Sequence, residues 1–510
     1  MNQISHGNGN GNGNGAKGLL EQPKKQAAQP SAGASAAEAR KSRVTFQTRD
    51  GLKLHGTPAR VTRHQAVFEL YHPAAVPRFS EALDQFQITL QGRTVYSGRA
   101  VVRNVVDAGT KIVCEATLDE AQWTDLNLVL ALQKDGQIAR EFKSFLKDWQ
   151  KFYKVSPEFK IVIADMQTFL QDLRFWLERV ELGMQALPVN EQKVFEQEVM
   201  KKVGALFVPA FDALHERLEA ISRTIDEDLH PAHRIFAQRQ LHPLMLCSPF
   251  ARRAYEKPLG YAGDYEVMNM IYRNTFEGKS LYAKIVHFWF IKQWAAESVR
   301  NRIAYMKRKL LGESTRAVGK KHNVRILNLG CGPAREVQDF LSECRLANHA
   351  EFYLVDFDAE TVNYVTSKLA EIKTRDKRTP TIQVLRKSVT QLLREASLPL
   401  PNSLGGNFDL IYSGGLFDYL SDQICKRLVS LFYEWLALDG LLVVANMNNQ
   451  HKPFHHMVEY LLDWNLIYRD ASDMAAFAPE NAEPDGCKVF VEPAAVNLFL
   501  EVRKLEEKPE

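Results

Sequence analysis

Long apolar runs are missing from this 510-residue chain. No stretch reaches the ~20 apolar residues that a membrane span needs, and no signal-peptide pattern stands at the start. A cytoplasmic protein without a membrane span is therefore expected. Charge of one sign is missing too. The 65 Lys and Arg stand against 61 Asp and Glu, a net of +4. That balance excludes the basic excess of a nucleic-acid binder, so no nucleic-acid partner is expected. Cysteine is scarce. Cys114, Cys247, Cys331, Cys344, Cys425 and Cys487 are scattered, without the paired spacing of a metal site or a disulfide framework. No metal is expected. What remains is an ordinary globular composition, long enough for two or three domains of roughly 100–200 residues.

The most informative stretch runs from Val324 to Asp358. Ile326-Leu327-Asn328-Leu329 reads as a buried parallel strand. It feeds a tight Gly330-Cys331-Gly332-Pro333-Ala334 turn, then a helix with Val337, Phe340 and Leu341 on one face. A second apolar run, Phe352 to Val355, ends on Asp356. This is a β-α-β unit with a glycine turn after its first strand and an acid after its second. Glycines let a ligand approach the backbone without meeting a Cβ, and the acid can accept hydrogen bonds from a ribose diol. The turn is G-x-G-x-A rather than the G-x-G-x-x-G that a pyrophosphate needs.

That turn resembles motif I of class I S-adenosylmethionine-dependent methyltransferases. The likeness continues through Phe408–Ser413 as a fourth strand, Leu438–Val444 as a turn and fifth strand, and Asn497–Val502 as a closing strand. It implies S-adenosylmethionine as cofactor. Gly330, Cys331 and Gly332 would shape the methionine side, Asp356 would take the ribose hydroxyls, and Phe357 would lie against adenine. Ser388 and Val389 would meet adenine after the third strand, with Ser413 at the tip of the fourth. Arg335 either pairs with the cofactor carboxylate or faces solvent. Asp358 is expected to cap the helix that starts at Ala359. The loop Ser413–Leu420 lacks the N-P-P-[YF] signature of amino-group methylation of bases.

The rest of the chain divides as follows. Residues 1–40, opening on GNGNGNGNG, cannot bury a core and are expected to form a disordered leader. Residues 41–120 carry short alternating strands at Val44, Leu52, Ala66, Phe86 and Lys111, the pattern of a small β-barrel. The block resembles a PilZ-type barrel. Its R-x-x-x-R segment is one residue short at Arg40-Lys41-Ser42-Arg43, and Thr62–Glu69 lacks the second signature. Cyclic di-GMP is not expected as a ligand, and Arg40, Arg43, Arg60 and Arg63 read as a solvated face.

Residues 121–240 read as a helical connector able to serve as a homodimer surface. Phe169, Leu173, Trp176, Leu177 and Val180 recur at helical spacing, and Pro188 and Pro209 start or interrupt helices. Residues 241–312 read as a helical lid over the methyltransferase domain, residues 313–505. One long helix is expected from Ser280 to Leu311. The buried-helix run Ile285–Ile291 also suits the lining of an acyl chain.

The loop Gly260-Tyr261-Ala262-Gly263-Asp264-Tyr265 is unusually rich in aromatics and acid. Together with LNLGCGPAREV, YLVDFD and FDLIYSGGLFDYL it resembles bacterial extracellular-factor 3-hydroxypalmitic acid methyl ester biosynthesis proteins. That resemblance implies methyl transfer to a small molecule, with a 3-hydroxy fatty acid carboxylate as acceptor. Tyr261, Asp264 and His451 are the candidate catalytic residues. His455 and His456 are further candidates for substrate contact, and Trp464, Tyr468 and Arg469 for closing the pocket. The alternative is a cyclic di-GMP- or S-adenosylmethionine-binding scaffold without catalysis. The fold expected is a PilZ-like barrel, a helical region and a C-terminal Rossmann-like α/β methyltransferase domain.

Overall fold

The computed structural model describes residues 42–48, 51–71, 76–90, 93–107, 111–119, 122–123, 142–143, 146, 154–396, 404–450 and 455–505. The expected leader, Arg40, Lys41 and His451 lie outside these residues.

Six antiparallel strands open the described chain: β1 (Arg43–Gln47), β2 (Lys53–Val61), β3 (Gln65–Leu70), β4 (Ala82–Leu90), β5 (Arg93–Asp107) and β6 (Ile112–Leu118). They close into a barrel in the order β1-β2-β3-β6-β5-β4, with β4 returning to β1. Period-two alternation puts Phe46, Phe68, Phe86 and Tyr96 inside, and Phe46, Phe68 and Phe86 meet one another at ring-centroid distances of 5.5–5.9 Å. The sequence reading missed β5. Ser97-Gly98-Arg99 breaks its apolar pattern, and the pairing with β6 shifts register between Val102 and Asn104.

The helical region builds one core rather than a connector and a separate lid. It comprises α1 (Pro157–Gln185), α2 (Val189–Ser222), α3 (His230–Met245), α4 (Pro249–Glu256), α5 (Tyr265–Arg273) and α6 (Leu281–Lys292). Pro188 stands at the N-cap of α2, whereas Pro209 lies inside that helix without interrupting it. Trp176, assigned to the buried stripe, is exposed, as are Leu182, Val189 and Leu206 on the same α1–α2 hairpin.

The long helix expected from Ser280 is two helices. Ser280 caps α6 by accepting the Ala283 N–H, but Gln293 is extended and divides α6 from α7 (Trp294–Gly319). The break has a physical anchor. Asp212 Oδ1 of α2 accepts hydrogen bonds from Trp289 Nε1 (2.8 Å) and Gln293 Nε2 (3.0 Å).

The C-terminal unit alternates strands and helices: β7 (Val324–Leu329), α8 (Arg335–Glu343), β8 (Ala350–Asp356), α9 (Ala359–Arg375), β9 (Thr381–Arg386), α10 (Val389–Ala396), β10 (Phe408–Ser413), α11 (Asp422–Trp435), β11 (Leu436–Met447), α12 (His455–Leu462), α13 (Ala471–Ala475), β12 (Cys487–Val491) and β13 (Asn497–Arg503). The sheet order is β12-β13-β11-β10-β7-β8-β9, and β13 alone runs against its neighbours. β7 and β10 are almost wholly buried, because helices cover both faces of a parallel sheet. α7, α8 and α9 pack on one face, α10 and α11 on the other. The connection reverses direction between β7 and β10, which opens a crevice at the carboxyl ends of those strands.

α12 leaves this domain and joins the helical core through Met457, Tyr460, Leu461 and Leu462. Glu219 of α2 anchors it, accepting from His456 Nδ1 (2.9 Å) and the Met457 N–H (2.9 Å) while also meeting His215 Nε2 at 3.3 Å. Ligand atoms of Glu219, His455 and His456 lie within 4.8 Å of one another, but the Glu219 carboxylate is already engaged by these partners.

Candidate active site

The turn after β7 takes the shape its glycines permit. Gly330 has φ +68° and Gly332 φ +51°, a region where a Cβ strains the backbone. The N–H groups of Gly330 and Cys331 donate to the Val355 carbonyl at 2.8 and 3.1 Å, which fastens the turn to the end of β8. Asp356 is 4% exposed. Its Oδ2 accepts the Gly332 N–H at 3.0 Å and its Oδ1 the Asp358 N–H at 3.1 Å. Burial pushes its carboxyl up to about 6. Asp358 caps α9 as expected, accepting the Thr361 N–H at 2.8 Å.

The crevice opens into a cavity of about 1180 Å³. That exceeds the roughly 300–1,000 Å³ that suits one drug-sized ligand. One end is lined by Gly330, Cys331, Gly332, Asp356, Phe357 and Val389. Much of the remaining lining is apolar, including Ile271, Phe290, Val299, Met306, Met457 and Leu466. Trp289 and Phe290 of the buried helix run also face it.

Polar groups line the cavity as well. The Arg302 guanidinium lies against the glycines after β10; a Cβ on Gly415 would come within 3.1 Å of its Nη2. Tyr272 lines the same space, and burial raises its hydroxyl while the Arg302 charge opposes this. Asn328 is among the lining residues; its Oδ1 is buried and without a hydrogen-bond partner among the described residues. Glu336 accepts from Asn328 Nδ2 (2.9 Å) and the Tyr412 hydroxyl (2.8 Å), and burial raises its carboxyl. Asp418 Oδ1 accepts the Met447 N–H at 2.7 Å, and burial pushes that carboxyl up to about 6.

This set fits S-adenosylmethionine. Asp356 is a buried acceptor suited to a ribose diol, and Phe357 and Val389 offer an apolar slot. Arg302 is a cation for a carboxylate.

Several sequence assignments need correction. Asp264 does not line the cavity. It is fully buried, caps α5 through the N–H groups of Glu266 and Val267, and pairs with Arg253 Nε at 2.9 and 2.8 Å. Its acidity serves the fold of the loop, and burial holds its carboxyl above the usual range despite Arg253. Tyr261 does line the cavity, but beside Asp356, with its ring 5.3 Å from Phe357. Ser388 turns away to cap α10, exchanging hydrogen bonds with Gln391. Ser413 Oγ donates to the Leu329 carbonyl at 2.9 Å and cross-links the two strand ends. Arg335 pairs with Asp339 at 2.8 Å.

Trp464, Tyr468 and His455 line the cavity. Arg469 instead pins the loop after β10, donating to the Phe417 and Leu420 carbonyls and to Asn446 Oδ1 at 2.6–2.9 Å. The reading of the sequence missed Arg302, Asn328, Glu336 and Asp418. Only Arg302 carried a legible signal, a cation standing on the same helix face as Val299 and Met306.

No protein-family model and no curated protein matches the chain. Among solved structures, a possible exported protein from Bordetella parapertussis superposes with a TM-score of 0.37 at 16% identity, over 59% of this chain and 97% of that one. Magnesium protoporphyrin IX methyltransferase from Synechocystis PCC 6803, with bound S-adenosylhomocysteine, gives 0.31 at 11% identity, over 50% and 99%. The N-methyltransferase NodS from Bradyrhizobium japonicum, also with S-adenosylhomocysteine, gives 0.26 at 13% identity, over 39% and 86%. The scores are low, and what the crevice can hold follows from its own residues.

Two variants separate the roles of the acids. Asp356 binds its proton more tightly folded than unfolded. Its protonated form therefore favours the fold at low pH, and that contribution is lost as pH rises through about 6. Ligand binding has the opposite slope, because the ionised carboxylate is the better acceptor. Calorimetric affinity for S-adenosylmethionine should rise through that range in the wild type, and Asp356→Asn should lose about tenfold or more and flatten the rise. Asp264→Ala should instead lower thermal stability by about 3 kcal/mol through the broken buried pair. Normal stability with abolished turnover would restore Asp264 to the chemistry.

Proposed function

We propose that the chain is an S-adenosylmethionine-dependent methyltransferase acting on a small, largely apolar acid. The observation that carries this is one continuous cavity. Buried Asp356 and the glycine turn share it with Gly414, Gly415, Arg302 and many apolar side chains, which make much of it an apolar chamber. The cofactor, when bound, supplies an electrophilic methyl group. The chain's own task is alignment, with Asp356 and Phe357 fixing the adenosyl end while the loop after β10 shapes the point of transfer. Holding both reactants in line is worth about 7–11 kcal/mol of the barrier.

A carboxylate acceptor is already anionic and needs no general base. The apolar chamber favours an acceptor with a long hydrocarbon part, and a 3-hydroxy fatty acid is the member that the sequence resemblance implies. The exposed apolar side chains of the α1–α2 hairpin are where a second copy would pack in a homodimer.

The decisive assay mixes S-adenosylmethionine carrying a labelled methyl group with 3-hydroxy acids of increasing chain length. The expected product is a base-labile methyl ester whose yield rises with chain length. Cofactor binding with no acceptor labelled across the series would leave a non-catalytic scaffold. Arg302→Gln sharpens the result. A weaker affinity for S-adenosylhomocysteine alone would assign Arg302 to the cofactor carboxylate. A raised acceptor KM with unchanged cofactor affinity would assign it to the substrate.

A further inference from the structure

The adenosyl end of the cavity has a wall that does not belong to the α/β domain. Val76, Pro77, Arg78, Phe79 and Glu81, which lead into β4 of the barrel, line the same space as Asp356 and Phe357. The Arg78 guanidinium carbon stands 3.8 Å from the centroid of the Phe357 ring. Phe357 is the residue next to the ribose-binding acid, and its ring also meets Tyr261. A guanidinium over an aromatic face is a favourable contact that fixes the plane of both groups. It also leaves N–H donors at the rim of the crevice.

The barrel is attached firmly enough for this contact to be a fixed feature. The Arg78 N–H donates to Glu81 Oε2 at 2.6 Å, which sets the turn that presents the side chain. Two residues further on, Ser80 Oγ donates to the Asp463 carbonyl at 3.1 Å. The Ala82 N–H donates to the Gly260 carbonyl at 2.8 Å, immediately beside Tyr261. Arg99 of β5 lies over the Tyr255 ring and donates to the Tyr255 carbonyl. Three points of attachment therefore tie the barrel to the helical region and to the residues after α12.

We propose that Arg78 is a cofactor-binding residue contributed by the barrel, and that the barrel is a wall of the adenosyl site. This rests on the cofactor reading given above. The barrel then has a task that needs no cyclic dinucleotide: it completes the pocket in which the nucleoside part of the cofactor is held. Arg78 keeps the Phe357 ring oriented for adenine and places positive charge beside the ionised Asp356.

Calorimetric titration of the full chain tests this with two ligands, S-adenosylhomocysteine and 5′-methylthioadenosine. The second keeps the adenosyl part and lacks the amino acid. Arg78→Ala should raise the Kd for both ligands by the same factor, on the order of tenfold. Arg78→Lys, which retains charge without the planar fork, should recover part of the loss. A thermal midpoint matching the wild type shows that each variant is folded. Wild-type affinity for both ligands in folded Arg78→Ala would overturn the proposal and leave the cofactor reading standing. A loss confined to S-adenosylhomocysteine would overturn it too, since the contact would then lie at the amino-acid end. Failure of the wild type to bind either ligand would remove both readings together.

Discussion

Barrel, helical region and α/β domain meet at one buried residue, Asp463. It follows α12 with φ +49° and is 5% exposed. Its Oδ1 accepts from Arg234 Nη1 at 2.6 Å and Gln238 Nε2 at 3.0 Å, both on α3. Its carbonyl accepts from Lys257 Nζ at 2.8 Å, an amine whose pKa burial pushes well down, and from Ser80 of the barrel at 3.1 Å. Arg234 and Lys257 hold the carboxyl below its usual range although burial opposes this. Charges taken out of water are tolerated only when every partner is in place, so such a knot fixes one arrangement of the parts that meet there. Displacing α3 would leave the Asp463 carboxylate uncompensated in the interior, and displacing the barrel would remove the Ser80 hydrogen bond.

That arrangement makes the cavity. The α/β domain alone presents an open crevice at its switch point, as doubly wound sheets do. The helical region roofs it with α5, α6 and α7, and the barrel closes the adenosyl end with the loop before β4. Closure matters for the proposed chemistry. Removing water strengthens the few polar contacts inside, namely those of Asp356, Arg302 and Asp418, and places a reactive methyl beside one acceptor only.

The parts legible in the sequence were those governed by local rules. The glycine turn, Asp356 at its strand tip, the Asp358 cap and the Ser280 cap all follow from spacing and short-range hydrogen bonding. Strands with clean alternation were legible as well. β5 was not, because a bulge and a polar break hide its period. The split between α6 and α7 was hidden because Asp212 causes it from a distant helix. Asp264 misled for a related reason. An acid among glycines and tyrosines suits chemistry and capping equally, and Arg253 decides between them. Arg302, Asn328 and Glu336 converge only through packing between elements, which no single stretch records. The contact of Arg78 with Phe357 joins the barrel to the α/β domain across the whole helical region.

The central claim is that this composite cavity holds an adenosyl cofactor. Hydrogen–deuterium exchange of the full chain, with and without S-adenosylhomocysteine, addresses it most directly. The account predicts ligand-dependent protection in four segments at once: 76–82, 259–263, 329–334 and 355–358. Protection absent from 329–334 and 355–358, or confined to the barrel, would contradict it.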